Sequence, residues 1–458
     1  MKTFALVLFG SGLLLLAPAL RAARPNVVIF YTDDQGTLDA RCYGSDDLHT
    51  PHTDRLARDG VRFTQAYAHT VCCPSRAAFL TGRHPQRSGI NNWTQGNMRG
   101  PDGLNMALDE VTFAEALKGA GYQTALFGKW HVGSHRDHGP MKQGFDEFFG
   151  IRNGFIDNYN HYFLHGKGYH DLYEGVTEVF RRGEYFPEMI TDRAIKFVEA
   201  NREKPFLLYL GFNIPHYPEQ ALPEHTKLYQ DLPMPRRSYA AMVTTTDHYM
   251  GLVLAKLDEL GLTENTIVIF QSDNGHSTEN NDGIRYDDHA SGLPKGHYYL
   301  SHGGGGNTGK WLGSKGTFLE GGIRVPAIVS WPAKLPKGEV RDQVVTIMDW
   351  YPSLLEWCEV KEPEVKLDGH SLQSLIDSPQ APSHHQVLHF QWRKSWAVRR
   401  GGWKLIGNEG RSPGRPADLA LHHLGDDQPE AKDYAAERPG LVRELAKLHD
   451  DWAREVTP

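Results

Sequence analysis

The twelve residues from Cys72 to Arg83, C-C-P-S-R-A-A-F-L-T-G-R, combine residue types that could carry a nucleophilic reaction. A cysteine side chain can act as a nucleophile, and Pro74 favours the first turn of a helix at this point. The backbone N–H groups of a first turn have no partner inside the helix, so they attract an anion. The segment therefore predicts a reactive group at position 72 that faces an anionic substrate.

Acidic and amide side chains follow two apolar runs. The run N-V-V-I-F-Y-T stops at Asp33 and Asp34, and the run T-I-V-I-F-Q leads through a serine to Asp273 and Asn274. Ligands of open α/β sheets bind outside the carboxyl ends of the strands, and oxygen-only ligands favour calcium or magnesium. Adjacent carboxylates would also repel each other without a cation between them. The alternative is that each pair consists of ordinary turn residues.

These motifs together resemble those of the type I sulfatases, arylsulfatase-like members of the alkaline phosphatase superfamily. The cysteine segment agrees with the pattern C-x-P-S-R-x-x-x-L-T-G-R at every fixed position. Gly121–His131 reads G-Y-Q-T-A-L-F-G-K-W-H and resembles the second signature of the family. P-H-Y-P around His216 and G-S-K-G-T around Lys315 match two further elements, and all of these motifs stand in the expected order.

The resemblance implies a sulfuric ester hydrolase. It implies that Cys72 is oxidised after translation to formylglycine, whose hydrate attacks the sulfur atom, and that each chain holds one Ca²⁺. The implied metal ligands are Asp33, Asp34, Cys72 (as formylglycine), Asp273 and Asn274. The implied catalytic residues are Cys72, Arg76, Lys129, His131, His216 and Lys315.

The resemblance also implies a role for each catalytic side chain. Lys129 and Lys315 hold the sulfate group, and Arg76 hydrogen-bonds the formylglycine and shields the metal-site charges. His216 protonates the departing alcohol, while His131 takes the proton whose removal lets the sulfated intermediate collapse. The implied partners are a sulfated sugar or other sulfate ester and a formylglycine-generating maturation enzyme.

Other interpretations stay open on the residues. Cys72 could be a buried structural thiol, the common state of a lone cysteine, although its register to Pro74 and Arg76 favours it over Cys73. A phosphonate or phosphodiester hydrolase of the same fold would need the same cationic site. A glycan-binding pseudosulfatase would keep the scaffold without turnover. If Cys72 is converted, at most one disulfide can form, and its pairing is open. The other three cysteines are Cys42, Cys73 and Cys358.

The elements that must position these residues alternate along the chain. Runs typical of strands buried on both faces are Asn26–Thr32, Pro205–Phe212, Thr266–Gln271 and Ile323–Trp331. Patterns typical of helices are Thr53–Arg58, Thr112–Gly119, Pro187–Ala200 and Ser238–Leu260. This alternation predicts an α/β layered fold. The resemblance implies an alkaline-phosphatase-like fold, a large mixed sheet sandwiched by helices with a smaller C-terminal α+β subdomain.

The pattern of predicted helices and strands changes near residue 380. Short strands are predicted at His385–Trp392 and Ser395–Ile406 with a turn at Gly401-Gly402, and a charged helix at Arg438–Glu455 closes the chain. We therefore expect a catalytic domain at residues 24–380 and an α+β subdomain at residues 381–458.

The N-terminus predicts a secretory signal peptide at residues 1–23. Lys2 precedes an apolar run from Phe4 to Leu20, and small residues follow up to Ala23. We expect an exported protein, periplasmic or secreted, without stable membrane insertion after signal removal. The alternative is an uncleaved anchor, although the run is shorter than the ~20 apolar residues that a spanning helix needs.

Composition narrows the function classes. The 458-residue chain has 40% hydrophobic and 23% charged residues, as globular proteins do. Its net charge is −7 and it contains no basic run, so nucleic acid is not an expected partner. This overall charge does not exclude an anionic substrate, because a few cations in a cleft set the local field.

Two segments carry hints about the substrate. Asn153–Gly175 is rich in aromatic residues and histidine, which can stack on sugar rings and bind hydroxyl groups, or can form an ordinary surface loop with its rings turned inward. Asn280–Thr308 is a second insertion that either lines further subsites or is a mobile loop. Together with export, these loops favour a sulfated carbohydrate over a small aryl sulfate.

Overall fold

The computed structural model describes residues 24–94, 104–165, 168–280, 301–407 and 419–457. A ten-stranded mixed sheet occupies its centre, and a four-stranded antiparallel sheet lies toward the C-terminus. The predicted fold class is confirmed. The predicted signal peptide lies outside the described residues. Within them, no helix is both long enough and apolar enough to cross a membrane.

The strands of the large sheet are β1 (Asn26–Asp33), β2 (Val61–Tyr67), β3 (Gln123–Lys129), β4 (Glu147–Ile151), β7 (Tyr173–Glu174), β8 (Thr177–Glu178), β9 (Phe206–Pro215), β10 (Thr266–Ser272), β11 (Arg324–Ser330) and β12 (Glu339–Thr346). Their order in the sheet is β12-β2-β11-β10-β1-β9-β3-β4-β7-β8. A separate two-stranded sheet pairs β5 (Tyr162–Phe163) with β6 (Tyr169–His170).

Helices cover both faces of the large sheet, and shorter ones lie in its connections. The α-helices are α1 (Pro51–Arg58), α2 (Cys72–Thr81), α3 (Phe113–Gly119), α4 (Phe186–Ala200), α5 (Pro223–Leu228), α6 (Arg236–Glu259), α7 (Glu320–Ile323), α8 (Trp350–Trp357), α9 (Gln373–Asp377) and α10 (Pro439–Val456). All four helices predicted between the strands form, and none of their ends differs from the predicted one by more than two residues.

The central strands are apolar at nearly every position because helices cover both of their faces. In β1, Val27, Ile29 and Tyr31 belong to one core cluster together with residues of α2, α3 and α8. Val28 and Phe30 point to the other face, where they share a core cluster with residues of α1, α4 and α6. The predicted strand Ile323–Trp331 forms as β11 and is equally buried, although β11 pairs antiparallel with both of its neighbours.

Four adjacent strands of the sheet bring the predicted site residues to one edge. Strands β10, β1, β9 and β3 run parallel to one another. Their carboxyl ends therefore lie side by side, and they lead directly into Asp273, Asp34, His216 and Trp130. Strand β9 runs to Pro215, three residues beyond the predicted end, and this extension places His216 at that edge.

The small sheet contains β13 (Val387–Trp392), β14 (Ser395–Arg400), β15 (Trp403–Gly407) and β16 (Ala420–His423). The turn at Gly401-Gly402 divides the predicted segment Ser395–Ile406 into two antiparallel strands, and Gly401 adopts a left-handed φ of 57° there. Leu445 of α10 packs against this sheet in a small core cluster. The boundary near residue 380 remains a prediction.

Candidate active site

The first residue of α2 is Cys72, as the cysteine-proline pattern predicts. Its side chain is buried, and Sγ lies 3.4 Å from Oδ1 of Asp33. Val71 precedes the helix in extended conformation and caps it without a side-chain hydrogen bond. Position 72 thus combines a helix N-terminus with the carboxyl edge of the sheet, two features that favour binding of an ionic ligand.

Three buried carboxylates and three cations meet beside Cys72. Nζ of Lys129 lies 2.5 Å from Oδ2 of Asp33, and Nζ of Lys315 lies 2.9 Å from Oδ2 of Asp34. The third pair joins the guanidinium of Arg76 to Oδ2 of Asp273, at 2.9 Å from Nη2 and 3.1 Å from Nε. Formal charges therefore balance in a region that is almost entirely buried, which is the condition for burying ions.

The Arg76 side chain has a wider role in the site than a single ion pair. Its Nη1 donates a 3.2 Å hydrogen bond to the carbonyl oxygen of Lys129, and its guanidinium lies 5.0 Å from the ring centroid of Tyr31. It therefore joins α2 to the ends of β1, β3 and β10. The structure gives no hydrogen bond from Arg76 to Cys72, so the role in contacting a formylglycine remains a prediction.

The predicted metal ligands form one cluster. Atoms of Asp33, Asp34, Cys72 and Asp273 that could bind a metal all lie within 4.8 Å of one another. Nδ2 of Asn274 donates a 2.6 Å hydrogen bond to Oδ1 of Asp34, whereas its buried Oδ1 has no partner among the described residues. Oxygen atoms from carboxylates and a free amide oxygen fit a hard cation such as Ca²⁺.

Burial sets the ionisation of this cluster. Burial raises the pKa of Asp34. The charges of Asp33 and Asp273 raise this pKa further, whereas the charge of Lys315 lowers it. Burial also raises the pKa of the Cys72 thiol, with a further contribution from Asp273, although both lysines act in the opposite direction. Ionisation of the carboxyl groups and of the thiol is therefore unfavourable unless additional positive charge lies nearby.

Both predicted histidines lie in the cavity above Cys72. His131 is buried, and neither of its ring nitrogens has a hydrogen-bond partner in the described part of the chain. Nδ1 of His216 lies 2.7 Å from the carbonyl oxygen of Tyr217 and must donate to it, so Nε2 is the atom turned away. That Nε2 lies 3.5 Å from Oδ2 of Asp34 and 3.9 Å from Oε2 of Glu279.

Two residues of the site depart from ordinary backbone geometry. Asp34 and His131, each just beyond a strand end, adopt left-handed φ values of 63° and 61°. This conformation costs a non-glycine residue about 1–2 kcal/mol, and such outliers concentrate at active sites. Here it turns each side chain from the strand direction toward the space beside Cys72.

The cavity above Cys72 measures about 90 Å³. Its other walls are aromatic and polar side chains, together with one glycine. They are Trp93, His131, Gly154, Phe155, Phe163, His165, His216, Tyr217, Glu279 and Lys315. The aromatic rings of the segment Asn153–Gly175 are turned inward, and some of them line the cavity. Of the second insertion, residues 281–300 lie outside the described residues.

Several residues of this cavity carry no signal in the sequence. Glu279 stands just before the predicted insertion, and Trp93 follows the cysteine motif without belonging to it. Glu279 contacts Lys315 at 3.8 Å, and the Trp93 ring stacks on the His131 ring at a centroid distance of 6.4 Å. Only the tertiary structure brings these two side chains to the site.

The structure also places the remaining cysteines. Cys73 is fully buried and its Sγ accepts a 3.4 Å hydrogen bond from the backbone N–H of Thr94, so it packs beneath α2 instead of facing the cavity. All four cysteines, Cys42 and Cys358 included, are free thiols in the structure.

Comparison with known proteins decides the family. A family model described as Sulfatase matches residues 25–360. The chain belongs to the sulfatase family. It is 30% identical over 488 residues to arylsulfatase J of Mus musculus, covering 95% of this chain and 77% of that protein. It is 33% identical over 406 residues to N-acetylgalactosamine-6-sulfatase of Rattus norvegicus, covering 83% and 71%.

Solved structures of sulfatases share the fold. The complex of Ps i-CgsB with k-i-k-neocarrahexaose superposes with a TM-score of 0.77 at 27% identity, covering 94% of this chain and 92% of that one. The PsFucS1 sulfatase from Pseudoalteromonas sp. gives a TM-score of 0.74 at 25% identity, covering 95% and 91%. The predicted family and the predicted enzyme class, a sulfuric ester hydrolase, are confirmed.

We predict that the pairing of Arg76 with Asp273 is essential to folding stability. Arg76→Met leaves a buried carboxylate unpaired and should lower the free energy of unfolding by about 3–5 kcal/mol. Adding Asp273→Asn to this variant should restore a large part of the loss. Urea unfolding in the presence of a chelator measures both, so that no bound cation contributes.

The control is Arg58→Met, because the Arg58 side chain is 68% exposed beside Asp59. Its cost should stay below about 1 kcal/mol. An Arg76→Met variant no less stable than Arg58→Met would show that the buried pair does not hold the sheet edge together.

Proposed function

We propose that this sulfatase is an exported, Ca²⁺-dependent enzyme that removes sulfate from a carbohydrate through a formylglycine at position 72. The observation that carries the proposal is the cavity above Cys72. Its walls place hydrogen-bonding groups of His165, His216 and Tyr217 beside the rings of Phe155 and Phe163. Polar groups interleaved with aromatic rings suit a sugar ring, which presents hydroxyls at its edge and C–H groups on its faces.

The relatives support a sulfate ester as the substrate but differ in its alcohol. They include N-acetylgalactosamine-6-sulfatase and also steryl-sulfatase of Homo sapiens, which is 30% identical. A sterol would need a long apolar site. The polar side chains around this cavity, with Glu279 among them, favour a carbohydrate instead.

Asp33, Asp34, Asp273 and Asn274 would hold Ca²⁺ together with the side chain at position 72. When bound, Ca²⁺ supplies positive charge that stabilises sulfate oxygens during attack. The free Oδ1 of Asn274 and the clustered carboxylate oxygens support this ligand set. A formylglycine hydrate at position 72 would supply the nucleophilic hydroxyl.

The remaining residues act on the substrate directly in this proposal. Lys129 and Lys315, which pair with Asp33 and Asp34 respectively, would orient the sulfate oxygens. His216 would act as the acid in its imidazolium form: Nδ1–H stays on the carbonyl of Tyr217, and Nε2, beside the carboxylates of Asp34 and Glu279, would give its proton to the leaving alcohol. His131, whose nitrogens have no other partner among the described residues, would accept the proton released at position 72.

Maturation and export complete the proposal. Cys72 is only 1% exposed, so a formylglycine-generating enzyme would have to reach it before α2 packs into the fold. We place this step on the unfolded chain, with residues 1–23 as the export signal. The product is then a periplasmic or secreted enzyme.

The test of the function is turnover of paired substrates. We expect the protein to release sulfate from sulfated sugars at least 100-fold faster than it cleaves phosphonate monoesters or phosphodiesters on the same alcohol. Cys72→Ala should abolish sulfate release, because the proposal places the nucleophilic hydroxyl at position 72. Cys73→Ala is the matched control and should keep activity.

Faster cleavage of the phosphorus esters would contradict a sulfatase and favour the related hydrolase. Glycan binding without turnover, by protein whose position 72 is converted, would favour a pseudosulfatase.

We predict that His216→Ala slows release of poor leaving groups most. A general acid contributes about 10²–10⁴-fold when the leaving alcohol needs a proton. Turnover of a sugar sulfate should therefore fall by that factor, while turnover of 4-nitrophenyl sulfate falls far less. His165→Ala, on the same cavity wall, should affect both substrates alike. Equal losses for both substrates in His216→Ala would remove His216 from the role of acid.

We predict that Ca²⁺ stabilises the folded protein. After chelation, Ca²⁺ at about 100 times its Kd should add about 2.7 kcal/mol, measured as a rise in Tm. Asp34→Asn should reduce this rise. The control is Asp247, a buried carboxylate on α6 that accepts hydrogen bonds from the first turn of α1. Asp247→Asn should keep the full rise in Tm. An equal rise in Asp34→Asn and Asp247→Asn would contradict the proposed ligand set.

A further inference from the structure

A second cavity of about 190 Å³ adjoins the one above Cys72. The two share Trp93, Glu279 and Lys315 in their walls, so they form one continuous cleft. The residues that line only the second cavity are Val71, Ser277, Thr278, Gly316 and Trp392. None of the residues to which we give a catalytic role, except Lys315, lines this second cavity.

Aromatic rings follow the cleft outward from the sulfate site. The Trp93 ring stacks on His131 with an interplanar angle of 17°, and Nζ of Lys315 lies 5.9 Å from its centroid. The next ring, Trp392, meets Trp93 edge-on at 5.8 Å. Both indoles are half-buried, so each keeps surface open to the cleft.

The position of Trp392 is fixed by contacts between the small sheet and the segment that carries Trp93. Trp392 ends β13 of the small sheet, and the backbone N–H of Arg393 donates a 3.3 Å hydrogen bond to the carbonyl of Asn91. Nε of Arg393 also donates to Oδ1 of Asn92 at 2.8 Å. The segment that carries Trp93 is therefore tied to the strand that carries Trp392, and the two rings form a built surface.

The wall of the second cavity also carries a negative charge. The Glu279 side chain is 42% exposed, and its Oε2 accepts a 3.3 Å hydrogen bond from Ser277. The nearest cation, Lys315, faces the sulfate site and contacts Asp34 more closely than Glu279. The guanidinium of Arg393 lies 5.0 Å from the centroid of the Trp392 ring, but Arg393 is not among the residues that line the second cavity. The second cavity thus offers indole rings together with a carboxylate acceptor.

We propose that this second cavity binds the sugar ring next to the sulfated one, and that this neighbouring ring is uncharged. The inference rests on the proposed function, the hydrolysis of carbohydrate sulfates. Indole faces bind the C–H face of a sugar ring, and the Glu279 carboxylate accepts hydrogen bonds from its hydroxyls. The same carboxylate repels a uronate or a second sulfate at this position. The C-terminal sheet then contributes directly to substrate selection through Trp392.

The experiment compares kcat/KM for three substrates that carry the same sulfated sugar. These are the monosaccharide, a disaccharide with an uncharged neighbour and a disaccharide with a uronic acid neighbour, each disaccharide in both linkage directions. For the natural sequence, the neutral disaccharide should exceed the monosaccharide by about fivefold to tenfold in one linkage. The uronate disaccharide should fall below the monosaccharide.

Variants assign these differences to residues. Trp392→Ala should bring the ratio of neutral disaccharide to monosaccharide close to one, and Trp392→Phe should retain most of it. Trp403→Ala removes another tryptophan of the same small sheet, outside the cleft, and should keep the ratio. Glu279→Gln should raise the ratio of uronate disaccharide to monosaccharide by about tenfold. Ratios between substrates cancel any general loss of activity in a variant.

The outcomes separate the inference from the function on which it rests. Turnover of sulfated sugars with disaccharide ratios near one, or ratios that Trp392→Ala leaves unchanged, would overturn the inference alone. Absence of turnover of every sulfated sugar, by protein with a converted position 72, would overturn the proposed function and the inference together.

Discussion

The neutralisation of three carboxylates at one buried edge of the sheet is the constraint on which this molecule depends. Asp33, Asp34 and Asp273 stand together because the parallel strands β1 and β10 end side by side. Three cations come from elsewhere in the chain to meet them: Arg76 from α2, Lys129 from β3 and Lys315 from the loop before α7. Without these partners the strand ends could not be buried.

A second set of buried ion pairs connects the small sheet to the large one and so affects the site. Nζ of Lys404, on β15, lies 2.9 Å from Oε1 of Glu320 and also pairs with Glu430, and the two charges of the Lys404–Glu320 pair are fully buried. Arg324, at the start of β11, pairs with Glu320 as well. This second buried network holds the small sheet against the large one, and so holds Trp392 at the rim of the cleft.

Much of the fold and of the site was predictable from local pattern. Runs such as Asn26–Thr32 are apolar on both faces, which only a covered sheet accommodates, and the acidic residues behind them mark the carboxyl edge. The resemblance placed Cys72 and Lys315 in one site, and the structure brings them together. Strand order was not predictable, because nothing local in β9 shows that it lies between β1 and β3.

The residues that shape the cleft lay beyond sequence reasoning. Trp93, Glu279 and Trp392 come from three distant parts of the chain and meet only through the pairing of whole sheets. Single tryptophans and glutamates are common, and no spacing links these three. Catalytic positions follow motifs because chemistry fixes residue type and register together, whereas a binding wall needs only a ring or a charge at the right place in space.

The most direct test of the account is the mass of the peptide that spans Cys72 and Cys73, taken from protein isolated from its native host and treated with a thiol-alkylating reagent. The account predicts a peptide in which position 72 has lost the thiol and gained an aldehyde, so that a single alkyl group is taken up, on Cys73. Two alkylated cysteines in protein that releases sulfate would contradict it.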